Sequence, residues 1–365
     1  MAPMTHLELF RATVAHESTG HFLYYAGFTP DLERRVLEHY GAADKAELFR
    51  SLGVPVGAHV TVPERPDLPR HDYSRYYSDV ALPPGTTLEQ FLSRWGVLRL
   101  PGSSFHFTRT ISPLRHATSL QEVERFPLPR PEHYLIDVPA MTKQVEHAHQ
   151  EGRAAVCFTG HMYEEAWQVR GYEEFLMDMI GCPEIPDYIL EQFCVKNIAI
   201  AQAAAAAGVD QLSIADDVAN QNALMFSIDL WRAFIKSKWL RVTEAARAIK
   251  PDIEIWYHTD GNAMDIVDEL LDIGITILNP VQPECMDPVE VKRRFGKRVI
   301  FDGTIGTQST MPFGTPEEVR HVIRERKRTV GADGALILSP THVLEPEVPL
   351  ANIEAFFDEC AKPER

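Results

Sequence analysis

The sequence predicts an α/β fold, a (β/α)8 TIM barrel with an N-terminal helical cap and extended loops. From about residue 150 onward, short β-rich apolar runs alternate with longer helical patterns, which is typical of βα units around a parallel sheet. Six such runs lie between residues 154 and 340, and the earlier sequence has room for two more. No glycine-rich phosphate turn follows the first run, which disfavours the alternative of an open, doubly wound sheet.

The six expected strands are 154–160, 211–217, 253–261, 275–280, 298–303 and 335–340. The segments between them carry helix start signals: Ser227 precedes a long amphipathic run, Asp265 lies near the start of the next, and Thr315-Pro316 opens a third. The alanine run before Gly208 is expected to be helix, since glycine is a common helix stop.

Residues 1–150 are rich in proline and less regular. We expect them to supply the N-terminal cap, loops at the barrel mouth and the first strands, while residues 151–365 carry the main run of βα units. No change in composition marks a boundary, so residues 1–365 are predicted to form one domain.

Composition excludes several classes of partner. Lys and Arg number 36 against 52 Asp and Glu, a formal charge of −16, which disfavours nucleic acid and anionic membrane surfaces. No apolar run approaches a membrane span and the first residues lack the pattern of a signal peptide, so a cytoplasmic protein is expected. The five cysteines have no C-x-x-C pair, which indicates neither a disulfide framework nor a zinc ribbon.

Polar side chains end every late strand, where a barrel collects its functional groups. They are Asp216 and Asp217, His258 and Asp260, Asn279, Asp302, and His342. Each also has a structural interpretation: Asp216 and Asp217 as helix caps, Asn279 and Asp302 as turn formers, and a lone histidine as a hydrogen-bonded structural residue. Their occurrence on successive strands favours a catalytic site, with Asp216, Asp217, Asn279 and Asp302 as its catalytic residues.

A metal site is a further expectation. His258 and Asp260 are separated by one residue, so both lie on one side of an extended segment. His342 would complete a set of three ligands with open positions, as in catalytic rather than structural metal sites.

Other residues near the predicted mouth are less specific. His161 and Glu164 follow the first late strand and, with Gln308, are predicted to bind substrate. Gln308 and Asp302 are expected to share a pocket with His258. We interpret Glu165 as a helix-dipole residue and Cys285 as an incidental thiol.

Several stretches resemble the uroporphyrinogen decarboxylase superfamily, specifically its corrinoid-dependent methyltransferase-like branch. They are ERRVLEHYGAADKAELFRSLG, AWQVRGYEEFLMDMIGCPE, ADDVANQNALMFSIDLWRAFIK, YHTDGN, ILNPVQPECMDPVEVKRRFG, FDGTIGTQSTMPFGTPEEV and LSPTHVLEPEVPLANIEAF. Members that decarboxylate porphyrinogens carry an arginine-rich N-terminal segment, whereas HESTGHFLYYAGFTP has no arginine. Zinc methyltransferases of the superfamily place His-x-Cys after one strand and Cys after the last, where this chain has His258-Thr259-Asp260 and His342.

The resemblance implies a metal-assisted methyltransferase that demethylates a small methoxylated or methylated compound and passes the methyl group to a corrinoid protein. Zn²⁺ is the expected metal, and the harder ligands would accept other divalent ions. The alternatives are a carboxy-lyase of the decarboxylase type and a non-catalytic corrinoid-binding barrel. A homodimer is left open.

Overall fold

Eight parallel strands form one sheet in the computed structural model, which describes residues 4–68, 71–102 and 108–364. The sheet has the order β1-β10-β9-β8-β7-β6-β5-β2, and a separate antiparallel hairpin pairs β3 with β4. The strands are β1 Leu23–Tyr24, β2 Ala58–His59, β3 Leu98–Pro101, β4 Thr108–Ile111, β5 Ala155–His161, β6 Gln211–Ala215, β7 Glu254–His258, β8 Ile277–Asn279, β9 Ile300–Asp302 and β10 Leu336–Leu338.

The sheet curls so that its first strand meets its last. Leu23 of β1 pairs with Ile337 of β10. From β10 back to β5, each strand lies beside the strand that precedes it in the chain, and β5 then pairs with β2. The two strands that no ladder joins are β1 and β2, at the ends of this order. Across that gap the Tyr24 hydroxyl donates to the Gly53 carbonyl at 3.3 Å. The arrangement is that of a TIM-barrel-like fold, and a closing ladder between β1 and β2 stays a prediction.

Helices fill the connections between the strands. They are α1 His6–Val14, α2 Pro30–Tyr40, α3 Lys45–Ser51, α4 Leu120–Glu124, α5 Val138–Gln150, α6 Tyr163–Arg170, α7 Tyr172–Gly181, α8 Glu184–Ala207, α9 Ile228–Trp231, α10 Ser237–Arg247, α11 Val267–Asp272, α12 Pro288–Phe295, α13 Thr310–Phe313, α14 Pro316–Thr329 and α15 Leu350–Cys360. A π-helical segment, Arg232–Lys236, joins α9 to α10. None of the helices in the described ranges is both long and apolar enough to cross a bilayer.

The helix ends follow the sequence signals. Ser227 caps α9, and Thr315 forms a capping box with Glu318 at the start of α14. Helix α8 contains the alanine run and ends at Gly208, whose φ of 87° suits a residue without a Cβ. Asp265 falls in a short 3-10 turn that precedes α11 rather than in the helix itself.

Helix α1 packs against the amino ends of the strands. Its Leu7 and Phe10 share a buried cluster with Leu23, Ile277 and Ile300, each the first residue of its strand. Helix α1 thus covers the amino ends of the strands. The polar side chains gather at the other end of the sheet, where the carboxyl ends of the strands lie.

Candidate metal centre and active site

Asp217, His258 and Asp260 form a compact cluster at the carboxyl ends of β6 and β7. One ligand atom from each residue lies within 4.8 Å of the others. The Nε2 atom of His258 is 3.6 Å from Asp217 Oδ1 and 4.0 Å from Asp260 Oδ1. The sheet register brings them together, because Ala215, two residues before Asp217, pairs with His258. We call this set the metal cluster.

Asn279 fixes the orientation of His258. Its Oδ1 atom lies 2.6 Å from His258 Nδ1 and can only accept a hydrogen bond, so Nδ1 carries the proton. The lone pair of Nε2 then faces the two carboxylates, as a metal ligand requires. Trp256 stacks on the imidazole with 5.7 Å between ring centroids and an interplanar angle of 15°.

The donor set fits a divalent cation. Asp260 Oδ1 is buried and meets no hydrogen-bond donor among the residues that the structure describes. Asp217 Oδ1 accepts the Asp260 backbone N–H at 2.7 Å. Burial, together with the charges of Asp260 and Glu164, raises the pKa of Asp217. A buried lone pair facing an imidazole nitrogen and a second carboxylate is costly without a cation to share.

Gly261 holds the turn after the metal cluster close to the neighbouring loop. Its φ is +87°, and a Cβ there would lie 2.5 Å from the Asn220 carbonyl oxygen. Its backbone N–H donates to Gln282 Oε1 at 2.6 Å. The sequence Asp260-Gly261 therefore fixes the position of the Asp260 backbone, and larger residues do not fit at 261.

His342 lies beside the metal cluster rather than within it. Its Nε2 atom is 4.0 Å from Asp260 Oδ2, and its side chain is 50% exposed. The expected ligand set of His258, Asp260 and His342 stays a prediction. Asp217 joins His258 and Asp260 in the metal cluster because β6 is hydrogen-bonded to β7, whereas His342 follows β10 at a greater separation in the sheet.

A pocket of about 450 Å³ opens next to Asp260, and we call it the mouth pocket. His342 and Gln308 both line it, whereas His258, with which Gln308 was expected to share a pocket, is not among the residues that line it. The Gln308 side chain accepts a hydrogen bond from Gln221, and its backbone N–H donates to Glu284 at 3.2 Å. These contacts tie three loops together around the pocket.

His161 and Glu164 form an ion pair close to the metal cluster. The Nδ1 atom of His161 is 2.5 Å from Glu164 Oε2. Burial disfavours the imidazolium, but the Glu164 carboxylate more than offsets this and raises the pKa of His161. Burial likewise opposes ionisation of Glu164, yet His161 and a hydrogen bond with Asp217 lower its pKa. The pair is thus connected to the cluster through Asp217.

Asp216 is fully buried and faces protein donors. Its Oδ1 atom accepts the backbone N–H groups of Met162 and Glu164 at 2.8 and 3.1 Å, and its Oδ2 atom accepts Trp239 Nε1 at 2.9 Å. The carboxylate therefore holds the start of α6, which carries Glu164. Glu165, interpreted from sequence as a dipole residue, lies in the first turn of α6 and also pairs with buried Lys196 at 2.8 Å.

The titration of Asp216 is a testable consequence of this burial. Burial raises its pKa from 3.8 to about 7. Because the folded value exceeds the unfolded one, the contribution of Asp216 to stability is complete below pH 3.8 and is lost as pH rises to about 7. Denaturant unfolding of wild type and Asp216→Asn across that window should therefore show the wild-type advantage shrinking with pH. A difference independent of pH would contradict this assignment.

Asp302 lies inside the sheet at the end of β9. It accepts hydrogen bonds from the Tyr25 hydroxyl at 3.0 Å, Trp256 Nε1 at 2.8 Å and the Ser339 hydroxyl at 2.8 Å. Burial raises its pKa, and hydrogen bonds from these donors and Asn279 oppose the shift. Asp302 is not among the residues that line the mouth pocket. It is linked to His258 through Asn279, whose side chain hydrogen-bonds both residues.

Tyr25 and Trp256 were missed by sequence reasoning. Trp256 could have been found, because it lies two residues before His258 on the same face of the strand. Tyr25 follows a strand of only two residues, too short for a periodic pattern. Cys285 is half-buried, and its thiol lies 3.5 Å from Gln282 Oε1, outside the metal cluster. Burial, with the charges of Glu284 and Asp260, raises its pKa.

Two known methyltransferases are similar to this chain. Methylcobamide:CoM methyltransferase MtaA of Methanosarcina barkeri is 27% identical over 159 residues, which is 43% of this chain and 43% of that protein. The chain thus aligns with less than half the length of this relative. The solved structure of a methyltransferase from Methanosarcina mazei superposes with a TM-score of 0.66 over 98% of both chains, at 17% identity, and therefore shares the fold.

The family model of uroporphyrinogen decarboxylase (URO-D) matches residues 101–363, well over half of the chain. That range contains the metal cluster, Asn279, Asp302 and most of the strands of the eight-stranded sheet. The resemblance to the superfamily that was inferred from the sequence stretches is thereby confirmed: the chain belongs to the uroporphyrinogen decarboxylase family.

Proposed function

We propose that this protein is a metal-assisted methyltransferase that takes a methyl group from a small methylated or methoxylated compound and passes it to a corrinoid protein. The metal cluster is the observation that carries the proposal, because ligand atoms of Asp217, His258 and Asp260 converge and the buried Asp260 Oδ1 meets no hydrogen-bond donor among the described residues. Family membership and the name of the M. barkeri relative support methyl transfer that involves a corrinoid, although in that name the cobamide is the methyl donor and in our proposal the corrinoid is the acceptor.

The ligands would be His258 Nε2 and one oxygen each of Asp217 and Asp260, with His342 able to approach from the pocket side. When bound, a divalent metal polarises the heteroatom that carries the methyl group and makes it a better leaving group. Imidazole and carboxylate are harder ligands than thiolate, so this ligand set can bind other divalent metals as well as zinc.

The chain's own residues prepare the reaction. Asn279 holds the His258 tautomer, and Asp216 holds the α6 start that carries Glu164.

The methyl group leaves as the bond from its heteroatom to carbon breaks and a bond from carbon to reduced cobalt forms. The heteroatom keeps the electron pair and takes up a proton, for which the His161–Glu164 pair is the nearby source, with Gln308 orienting the substrate from the mouth pocket.

Transfer to cobalt can be measured directly. The metal-loaded protein, a methyl donor labelled with ¹³C and a cobalt(I) corrinoid should give methyl-cobalt, followed by absorbance and carbon NMR, with no carbon dioxide. Carbon dioxide release from a carboxylated substrate that persists after chelation of metal would instead establish the carboxy-lyase activity. Corrinoid-protein binding without turnover of any substrate would indicate a binding barrel.

Asn279 provides a separate test of the ligand geometry. Asn279→Leu removes the acceptor for His258 Nδ1, so zinc affinity should fall about 10- to 100-fold, as is typical when an outer hydrogen-bond partner of a histidine ligand is lost. Competition with a chromogenic chelator measures this. Asn222→Leu is the matched control, since Asn222 is exposed and is not a member of the metal cluster. Equal affinity in both variants would contradict the role of Asn279.

A further inference from the structure

We propose that the substrate carries its methylated heteroatom on an aromatic ring, and that this ring binds inside the curled sheet against Phe158. This inference rests on the proposed function, because it names the substrate class of the same site. It concerns the interior face of β5, β6 and β7, below the metal cluster.

The side chain of Phe158 points into the interior of the sheet. Ala154 belongs to the buried cluster beneath α1, which also contains Ile277 and contacts Trp256. Phe158 follows Ala154 by four residues, so both lie on the same face of the strand. The register agrees, because Phe158 pairs with Ser213 and Ser213 pairs with Trp256. Phe158 and Trp256 therefore lie at one level inside the sheet, with Ser213 between them.

Open space lies beside the Phe158 ring. Its side chain is 46% exposed, whereas its neighbours on the outer face, Cys157 and Thr159, are buried. The interior of an eight-stranded barrel is normally filled by side chains or holds one small ligand. Strands β5 and β7 are two spacings apart, about 9–10 Å, and the small Ser213 on β6 leaves room for a flat ring between their aromatic side chains. We call the space bounded by Phe158, Ser213 and Trp256 the inner chamber.

The inner chamber lies directly below the metal cluster. Trp256 precedes the metal ligand His258 by two residues, a rise of about 6.6 Å along the strand. On β5 the Phe158 ring meets His161 edge to face, with 5.4 Å between the ring centroids. A ring in the inner chamber would therefore place a substituent on its upper edge next to the metal ligands and next to His161.

The direction of methyl transfer sends the leaving group into this chamber. Reduced cobalt attacks the methyl carbon from the side opposite to the heteroatom, because that alignment is needed for the new bond to form as the old one breaks. The buried cluster under α1 closes the amino end of the sheet, so a corrinoid protein approaches from the carboxyl end. The methyl group then faces the mouth, and the heteroatom with the rest of the substrate faces the interior.

The chemistry of the chamber suits an aryl leaving group. Its large side chains, Phe158 and Trp256, are aromatic, and aromatic pairs gain contact energy beyond the area that they bury. When the bond between oxygen and the methyl carbon breaks, the oxygen keeps the electron pair, and the ring delocalises that charge. The oxygen then takes up a proton from the His161–Glu164 pair. The products are a phenol and methyl-cobalt.

Two neutral ethers of nearly equal size isolate the effect of the ring: anisole and its saturated analogue methoxycyclohexane. Calorimetric titration of the zinc-loaded protein should show anisole binding about twofold to tenfold more tightly. Phe158→Leu keeps an apolar side chain and removes the ring, so it should abolish this preference while the protein retains its metal. Phe158→Tyr restores an aromatic ring and should restore the preference.

Phe313→Leu is the matched control, since Phe313 is 78% exposed and lines the mouth pocket instead. It should change neither affinity. Equal affinities for the two ethers, no binding of anisole, or a preference that is lost in Phe313→Leu and kept in Phe158→Leu would each overturn the inference.

Activity separates this inference from the proposed function. Methyl transfer to cobalt from an aliphatic donor, without any preference for anisole, would leave the proposed function standing and refute the aromatic substrate. A preference for anisole that depends on Phe158, without methyl transfer from any donor, would support the aryl site and refute the proposed function.

Discussion

Replacing His258 with alanine is expected to abolish stoichiometric binding of a divalent metal and to lower methyl transfer by more than about a hundredfold. His258 is the one ligand of the cluster whose lone pair is set by a hydrogen bond, through Asn279 at 2.6 Å. Loss of a direct ligand should exceed the 10- to 100-fold effect typical of an outer hydrogen-bond partner. Metal content after dialysis and the initial rate of cobalt methylation measure the two effects.

His342→Ala is the informative companion of that variant. Because the half-exposed His342 lies outside the cluster, this variant should weaken metal binding modestly and retain the ion. If His342→Ala loses the metal while Asp217→Ala keeps it, the ligand set of His258, Asp260 and His342 that the sequence suggested would be restored.

Asp302→Ala is expected to destabilise the protein by about 3 kcal/mol or more. The substitution leaves the donors of the half-buried Tyr25 and Trp256 and of the buried Ser339 without their acceptor, and unsatisfied polar groups away from water are costly. Chemical denaturation at pH 7 measures the loss. The variant should also bind zinc less tightly, since Asn279 loses a partner that helps to hold it against His258.

Ser339→Ala is the matched control for Asp302. It removes one of the donors and keeps the carboxylate, so a loss of about 1 kcal/mol is expected. A loss below 1 kcal/mol in Asp302→Ala itself would show that water replaces the carboxylate, and that the network does not stabilise the sheet.

Much of the fold could be predicted because the late strands are continuous apolar runs between clear helix signals. All six expected runs contain a strand, although Gln211–Ala215 and Glu254–His258 end before the acidic residues that were included with them. The first two strands could not be placed. Leu23–Tyr24 and Ala58–His59 are too short for periodicity, and their pairing depends on contacts distant in sequence.

The site was predictable in its location and less so in its roles. Strand-end position alone brought His258, Asp260 and Asp217 to one place, because parallel strands share their carboxyl edge. It could not say that Asp216 faces inward to cap α6 while its neighbour Asp217 faces the cluster. The local path of the backbone decides where the side chains of adjacent residues at a strand end point, and the sequence pattern does not encode that path.

X-ray absorption spectroscopy of the zinc-loaded protein tests the central claim, a metal centre built from imidazole and carboxylates. We predict a first coordination shell of nitrogen and oxygen atoms at about 2.0–2.2 Å, with no sulfur at about 2.3 Å and with the imidazole signal lost in His258→Ala. A sulfur ligand, which Cys285 could supply, or a spectrum of hydrated zinc unchanged by His258→Ala would contradict the account.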